Sequence, residues 1–296
     1  MFNEDIRTLG KPRVGMAVKK LVQILLFCCL VTGCTASFTY NHMDWLIPWY
    51  VESYVDLTRD QKRSLKEQLQ PFLAWHREEE LRSYVEILDD IEAAIDSPVT
   101  GTQVKGWIDD IVAAAERTEY SMVHLGLEFG EQLSEAQMQE FVDSLWERQR
   151  DFEEEYLDRT DEEYIEDNAE ELADFLKKLL GRLSVDQKDR LLGAAQSLCR
   201  FDKPWLVDSE EWLRELEPLL ERNNGWQAAV EAAFLARKSN RSPEFRDCLD
   251  RNYTVISEAV ADVQNQASDR QQDHLRNEIA DLRSRLQKLI ERAPKT

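Results

Sequence analysis

The sequence predicts an all-α protein, a bundle of roughly eight to nine helices that ends in a long one. Three observations point there. Helix breakers are scarce, with ten glycines and eight prolines in 296 residues. Apolar residues recur every three or four positions over long stretches, the period of a helix buried on one side, and no convincing alternating run marks a strand. A five-residue pattern, L-[ST]-x-x-Q, occurs at Leu57-Thr58-Arg59-Asp60-Gln61, Leu133-Ser134-Glu135-Ala136-Gln137 and Leu183-Ser184-Val185-Asp186-Gln187. In such a capping box the hydroxyl accepts from the third helical amide, and the Gln side chain returns to the cap's own amide.

These marks place helices near 44–56, 58–96, 102–132, 134–159, 161–182, 184–200, 208–222, 225–238 and 243–292. Pro71 is expected to bend the second helix. Ser97-Pro98 ends it, and Thr100-Gly101 begins the next connection. Phe201-Asp202-Lys203-Pro204 breaks the chain again, and Ser239 to Pro243 forms a turn. Two capping boxes agree further, Leu57-Thr58-x-Asp60-Gln61-Lys62-x-x-Leu65 and Leu183-Ser184-x-Asp186-Gln187-Lys188-x-x-Leu191. An old duplication and independent use of a good cap both account for that. In the last helix Leu275, Ile279, Leu282, Leu286 and Leu289 form a heptad seam. It covers barely two heptads, so packing within the bundle is favoured over a coiled-coil dimer. A sub-boundary near residue 160 is left open.

The N-terminal region reads as a leader. Lys19 and Lys20 precede an apolar run from Leu21 to Val31, broken only by Gln23. About 11 apolar residues fall short of the roughly 20 that span a bilayer, but they fit a secretory signal peptide. Its end, Val31-Thr32-Gly33-Cys34, resembles the lipobox of bacterial lipoproteins. That resemblance implies removal of residues 1–33, a diacylglyceryl group on the Cys34 thiol and an acylated, palmitate-bearing N-terminus. Cys28 and Cys29 become apolar filler that leaves with the peptide. Residues 34–43 form a lipidated tether, and 44–296 the helical domain. Thr35 follows the anchor in place of the Asp that retains such proteins on the inner membrane. The implied address is the periplasmic face of the outer membrane. Met16 offers an alternative start.

Of 37 basic and 58 acidic residues, five and two precede residue 34, which leaves 32 and 56 and a formal charge of −24. That balance argues against nucleic acid as a partner. Two cysteines remain after processing, Cys199 and Cys248. In an oxidising compartment two leftover thiols pair, so a structural disulfide is expected; two separately buried thiols are the alternative.

The most distinctive segment follows the anchor. Residues 38–54 hold six aromatics, among them Trp45, Trp49, Tyr50 and Tyr54. Apolar residues cover nearly the whole circumference, which marks a helix that is buried or touches lipid. Trp and Tyr favour the bilayer interface, but the absence of Lys and Arg weighs against a membrane-resting helix. A first core helix is expected, with the four aromatics as the candidate interaction segment. The pattern Y-N-x-x-D-W-L-x-x-W-Y-V-x-x-Y-V-x-L-[ST]-x-x-Q, followed by Trp75-His76-Arg77 to Glu80-Leu81, resembles a family of proteobacterial lipoproteins of unassigned function. The motifs span residues 31–81. The resemblance implies location and fold and transfers no catalytic residue.

No catalytic or metal motif accompanies these features. His42, His76, His124 and His274 are far apart and lack metal-ligand spacing. No nucleophile elbow, P-loop or dinucleotide fingerprint occurs. His76 and Glu80 stand one turn apart, where the acid would raise the imidazole pKa, though a solvated helix pair is the expected reading. No enzyme activity, cofactor or metal is therefore expected. The function expected is that of an anchored binding or scaffold module, with the membrane and an envelope protein as partners. The alternative is a folding helper, because L-[ST]-x-x-Q resembles the L-T-x-x-Q signature of small periplasmic stress chaperones.

Overall fold

The computed structural model describes residues 40–291. The expected signal peptide, Cys34 and most of the expected tether lie outside the described residues. Within them the chain is helical throughout: α1 Met43–Val51, α2 Arg59–Trp75, a π turn His76–Glu80, α3 Leu81–Ala94, α4 Gly101–Gly130, α5 Glu135–Tyr156, α6 Asp161–Leu180, α7 Val185–Ser197, α8 Asp202–Leu219, α9 Trp226–Asn240, α10 Pro243–Asn265 and α11 Asp269–Glu291. Because α2, the π turn and α3 run on continuously, these make ten helical rods among the described residues. The bundle is all-α, as expected, with a slightly higher count.

Helix α4 is the shared spine. Its 30 residues reach about 45 Å at 1.5 Å per residue. Its N-terminal half gives Val104 and Ile108 to one core, built with Leu172, Leu176, Leu191 and Ile256. Its C-terminal half gives Leu125, Leu127 and Phe129 to a second core, built with Leu65, Leu69, Met138 and Trp226. Both cores draw side chains from either side of residue 160. At the start of α4 a Cβ on Gly101 would stand 2.9 Å from Glu258 Cγ and 3.2 Å from its Cα, so α4 and α10 cross there too closely for a larger residue.

All three expected capping boxes form, at Thr58/Gln61, Ser134/Gln137 and Ser184/Gln187. Further boxes form at Thr100/Gln103 and Thr160/Glu163. Ser268 and Gln271 make the same reciprocal contacts at the start of α11, at 3.0 and 3.4 Å. The residues before these three caps are Val99, Arg159 and Ala267, so a pattern that demands Leu passes over them.

The boxes are also joined in pairs. The side-chain amides of Gln61 and Gln137 donate to each other's oxygens, both at 2.9 Å. Gln61 donates again to Gln132 O at 2.8 Å and Gln137 to Asp56 O at 2.7 Å, two residues ahead of the opposite cap in each case. Gln187 and Gln271 repeat the arrangement, with Gln271 donating to Gln187 at 2.9 Å and to Arg182 O at 3.1 Å. One device therefore pins α2 to α5 and α7 to α11.

Several boundaries differ from expectation. The stretch 243–292 is two helices, broken at 266–268. Asn265 ends α10 by holding Val99, accepting from its amide and donating to its carbonyl, both at 2.8 Å. Helix α8 starts at Asp202, inside the expected break, because Pro204 stands in the first turn, where no helical partner for its nitrogen is needed. Helix α2 passes through Pro71, and the irregularity comes at 76–80. The heptad seam is spent within the bundle. Leu275 and Ile279 enter the first core, while Leu282, Leu286 and Leu289 pack with Tyr40 and Leu81.

The sulfurs of Cys199 and Cys248 stand 2.02 Å apart, at disulfide distance, with 5.4 Å between their α-carbons. The bridge ties the α7–α8 connection to α10 beside Phe201 and Phe245. Asn252, itself buried, brackets Cys199 by accepting from its amide at 2.8 Å and donating to its carbonyl at 2.9 Å.

Candidate functional site

The polar constellation singled out in the sequence falls on the π turn. Such a turn inserts one residue into a helix and is frequent at functional sites. It turns both His76 and Glu80 inward, to 2% and 3% exposure. The solvated helix pair expected of these two residues is therefore not found. Glu80 is claimed by Arg117 on α4, which donates from Nε at 2.7 Å and from Nη2 at 2.8 Å in a two-point pair. Arg117 lies 37 residues away, and no local signal links the two.

His76 occupies an aromatic box. The rings of Tyr40, Phe72, Trp75 and Tyr84 stand 5.8 to 6.3 Å from its own. Tyr40 Oη and His76 Nδ1 share a hydrogen bond of 2.9 Å. The Arg77 guanidinium lies 5.3 Å from the Tyr40 ring centre. The two sequence segments that carry the family resemblance thus meet in space, one at Tyr40 and one at the π turn.

Burial sets the electrostatics. Loss of water lowers the His76 pKa to about 4, outweighing the pull of Glu80 in the other direction, while Arg77 adds to the lowering. The expected upward shift is corrected accordingly: Glu80 spends its charge on Arg117, and the imidazole stays neutral at pH 7. Burial likewise pushes the Tyr40 hydroxyl up to about 12. General acid–base catalysis works best with a pKa near the operating pH. His76 and Tyr40 lie far to either side of it, and their hydrogen bond fastens the chain at residue 40 to the π turn.

A second buried charge cluster escaped the sequence reading. Asp202 is fully buried and accepts from Arg159 Nη2 at 2.9 Å on both carboxylate oxygens. Arg159 also donates to Asp167 at 2.8 Å, and Arg200 donates to Asp161 at 2.7 Å and to the Arg159 carbonyl at 2.6 Å. Arg159 lies 4.6 Å from the Tyr156 ring centre. The cluster closes the junction between α5, α6 and α8.

The candidate interaction segment behaves differently from the core helix expected. Ile47 and Val51 pack on the second core, and Pro48 is buried. Trp45, Trp49 and Tyr50 face outward, 61%, 53% and 55% exposed. Tyr54 is half-buried against Phe141, with the Arg148 guanidinium 3.9 Å from its ring centre. Its hydroxyl bonds that of Tyr50 at 2.8 Å, and burial raises its pKa. The acids on and just after α1 are neutralised from α2: Lys66 pairs with Asp44 at 3.0 Å and Lys62 with Glu52. The lysines missing from α1 itself are thus supplied by its neighbour.

Among the described residues no group of three or more His, Cys, Asp or Glu is placed to hold a metal ion. His124 stands against Tyr120 and Glu231, and His274 faces Glu278, each remote in role from His76. No helix among the described residues is long and apolar enough to cross a membrane.

A model for a family of unknown function, DUF6279, matches residues 53–246, more than half of the chain. The chain belongs to that family. The DUF6279 match includes the π turn, Arg117 and the Arg159–Asp202 cluster, and begins just after α1. No curated protein and no solved structure matches the chain.

Proposed function

We propose that this chain is a lipoprotein of the bacterial envelope, attached through Cys34 to the periplasmic face of the outer membrane, that acts by binding another envelope protein through α1. The observation that carries the reading is the outer face of α1. Trp45, Trp49 and Tyr50 are each more than half exposed, their neighbouring acids are neutralised, and the helix starts nine residues after the implied anchor. Large aromatics clustered at a surface mark interaction sites, and Trp and Tyr are the commonest anchors of protein interfaces. The lipobox supports the address.

The folding-helper reading rests on L-[ST]-x-x-Q. Those residues are occupied in capping helices and in joining α2 to α5 and α7 to α11, so the motif carries no argument for client binding. A direct check is whether the purified protein suppresses aggregation of an unfolded client.

The test of the proposed function is crosslinking in intact envelopes followed by purification of three forms: native, Cys34→Ser, and Trp45→Ala with Trp49→Ala. The expected result is one discrete protein recovered with the native form and lost from the other two. Recovery of no discrete protein, or equal recovery with the Trp variant, overturns the reading. Unmodified Cys34 in the native form would remove the membrane address alone.

A further inference from the structure

The first core is not filled. Among α3, α4, α6, α10 and α11 lies a cavity of about 150 Å³, lined by side chains such as Ile95, Val104, Ile108 and Leu176, with Gln264 the one polar residue on its wall. Protein interiors contain few voids larger than a water molecule. Leaving one open sacrifices packing. An apolar cavity of this size stays dry and takes small apolar molecules.

A polar cleft adjoins the cavity. Ala94 and Trp107 line the cavity, and the same two residues line an open surface cleft together with Asp90, Ser97, Gln103 and Asp110. Trp107 is half-buried. The adjacent acids Asp89 and Asp109 are taken by Arg283 and Lys105, whereas Asp90 and Asp110 face the cleft. The cleft offers two carboxylates, the shared wall an indole, and the cavity a hydrocarbon lining. A molecule that matches them has a cationic head and one alkyl chain.

We propose that cleft and cavity form a binding site for a single-chain cationic amphiphile, its chain passing Trp107 into the first core and its ammonium head held by Asp90 and Asp110. The site is independent of the anchor and of α1, so it stands or falls apart from the function proposed above. A carboxylate head would meet two like charges and bind more weakly, by about tenfold or more for the pair.

The test is calorimetric titration of the full chain at pH 7 with n-octylamine, n-octanol and n-octanoate, each below its micelle concentration. Saturable one-to-one binding is expected, tightest for the amine. Asp90→Asn with Asp110→Asn should bring amine and carboxylate to within about threefold of each other. Ala94→Phe, on the wall that cleft and cavity share, should abolish binding while circular dichroism stays helical. Should that variant fail to fold, Ile108→Phe fills the chamber from another wall and must have the same effect. Absence of saturable amine binding, equal binding of octanoate, or full binding by a folded filled variant overturns the proposal.

Discussion

Tyr40 and His76, 36 residues apart in the chain, are joined by a hydrogen bond of 2.9 Å inside a box of aromatic rings. The bond fastens Tyr40, the first described residue, to the π turn, and burial keeps the imidazole neutral there. The His76 pKa is about 4 when folded, against about 6.5 when unfolded. The unfolded chain therefore binds more protons between those values, and stability rises with pH across that window. Acidification from about pH 6.5 to about pH 4 should cost about 3 kcal/mol through this one group. Urea titrations of native protein and His76→Gln at a series of pH values check it. The native curve should fall more steeply with acid, and parallel curves would refute the assignment.

Gln61 and Gln137 each serve two helices, so their effects should not add. Either Gln→Ala change removes one cap interaction, worth about 1 kcal/mol, and the part-buried amide contact to the other box, worth about 0.5–1.5 kcal/mol. A double-mutant cycle on chemical denaturation should return a coupling of about 0.5–2 kcal/mol. Gln103, whose box is not joined to another among the described residues, is the control, with coupling to Gln61 near zero.

The buried carboxylate of Asp202 is shared by Arg159 and Arg200. Asp202→Ala leaves Arg159 and Arg200 without the carboxylate they share, and breaking a buried pair costs about 3–5 kcal/mol. The exposed pair of Arg63 and Asp60 should give less than about 1 kcal/mol in the same assay. Comparable losses at the two sites would mean that the buried cluster is not the fastening described.

The bridge between Cys199 and Cys248 closes 49 residues. By restricting the unfolded chain, a loop of that size stabilises by about 4 kcal/mol. Replacing both cysteines with serine, or reducing the native protein, should lower the melting temperature by many degrees. Both effects should coincide, because Asn252 holds Cys199 in place with or without the bond.

Trp45→Ala with Trp49→Ala should leave stability within about 0.5 kcal/mol, the usual range for surface positions, since both rings face solvent. A loss of several kcal/mol would show that α1 is packed more deeply than its exposure indicates.

Helix identity and most helix starts were legible in the sequence because they are local. A capping box needs only residues three apart, and a buried stripe only the 3.6-residue period. The same locality explains the misses. The break at 266–268 carries no glycine or proline. It follows from Asn265 reaching Val99, a contact across 166 residues. Pattern alone likewise could not tell that α1 covers the second core with Ile47 and Val51 while Trp45 and Trp49 stay outside, since its apolar residues surround the axis. His76 and Glu80 read as an exposed pair because their neighbours Arg77, Glu78 and Glu79 are charged. The π turn and Arg117 reverse that, and both are tertiary facts. By itself the sequence determined the helical fold, its caps and the resemblance to a lipid-anchored leader, all set by neighbours along the chain. Only the tertiary structure decided which charges are buried, which aromatics are free and where a cavity remains, because burial depends on what the rest of the chain brings to each side of a helix.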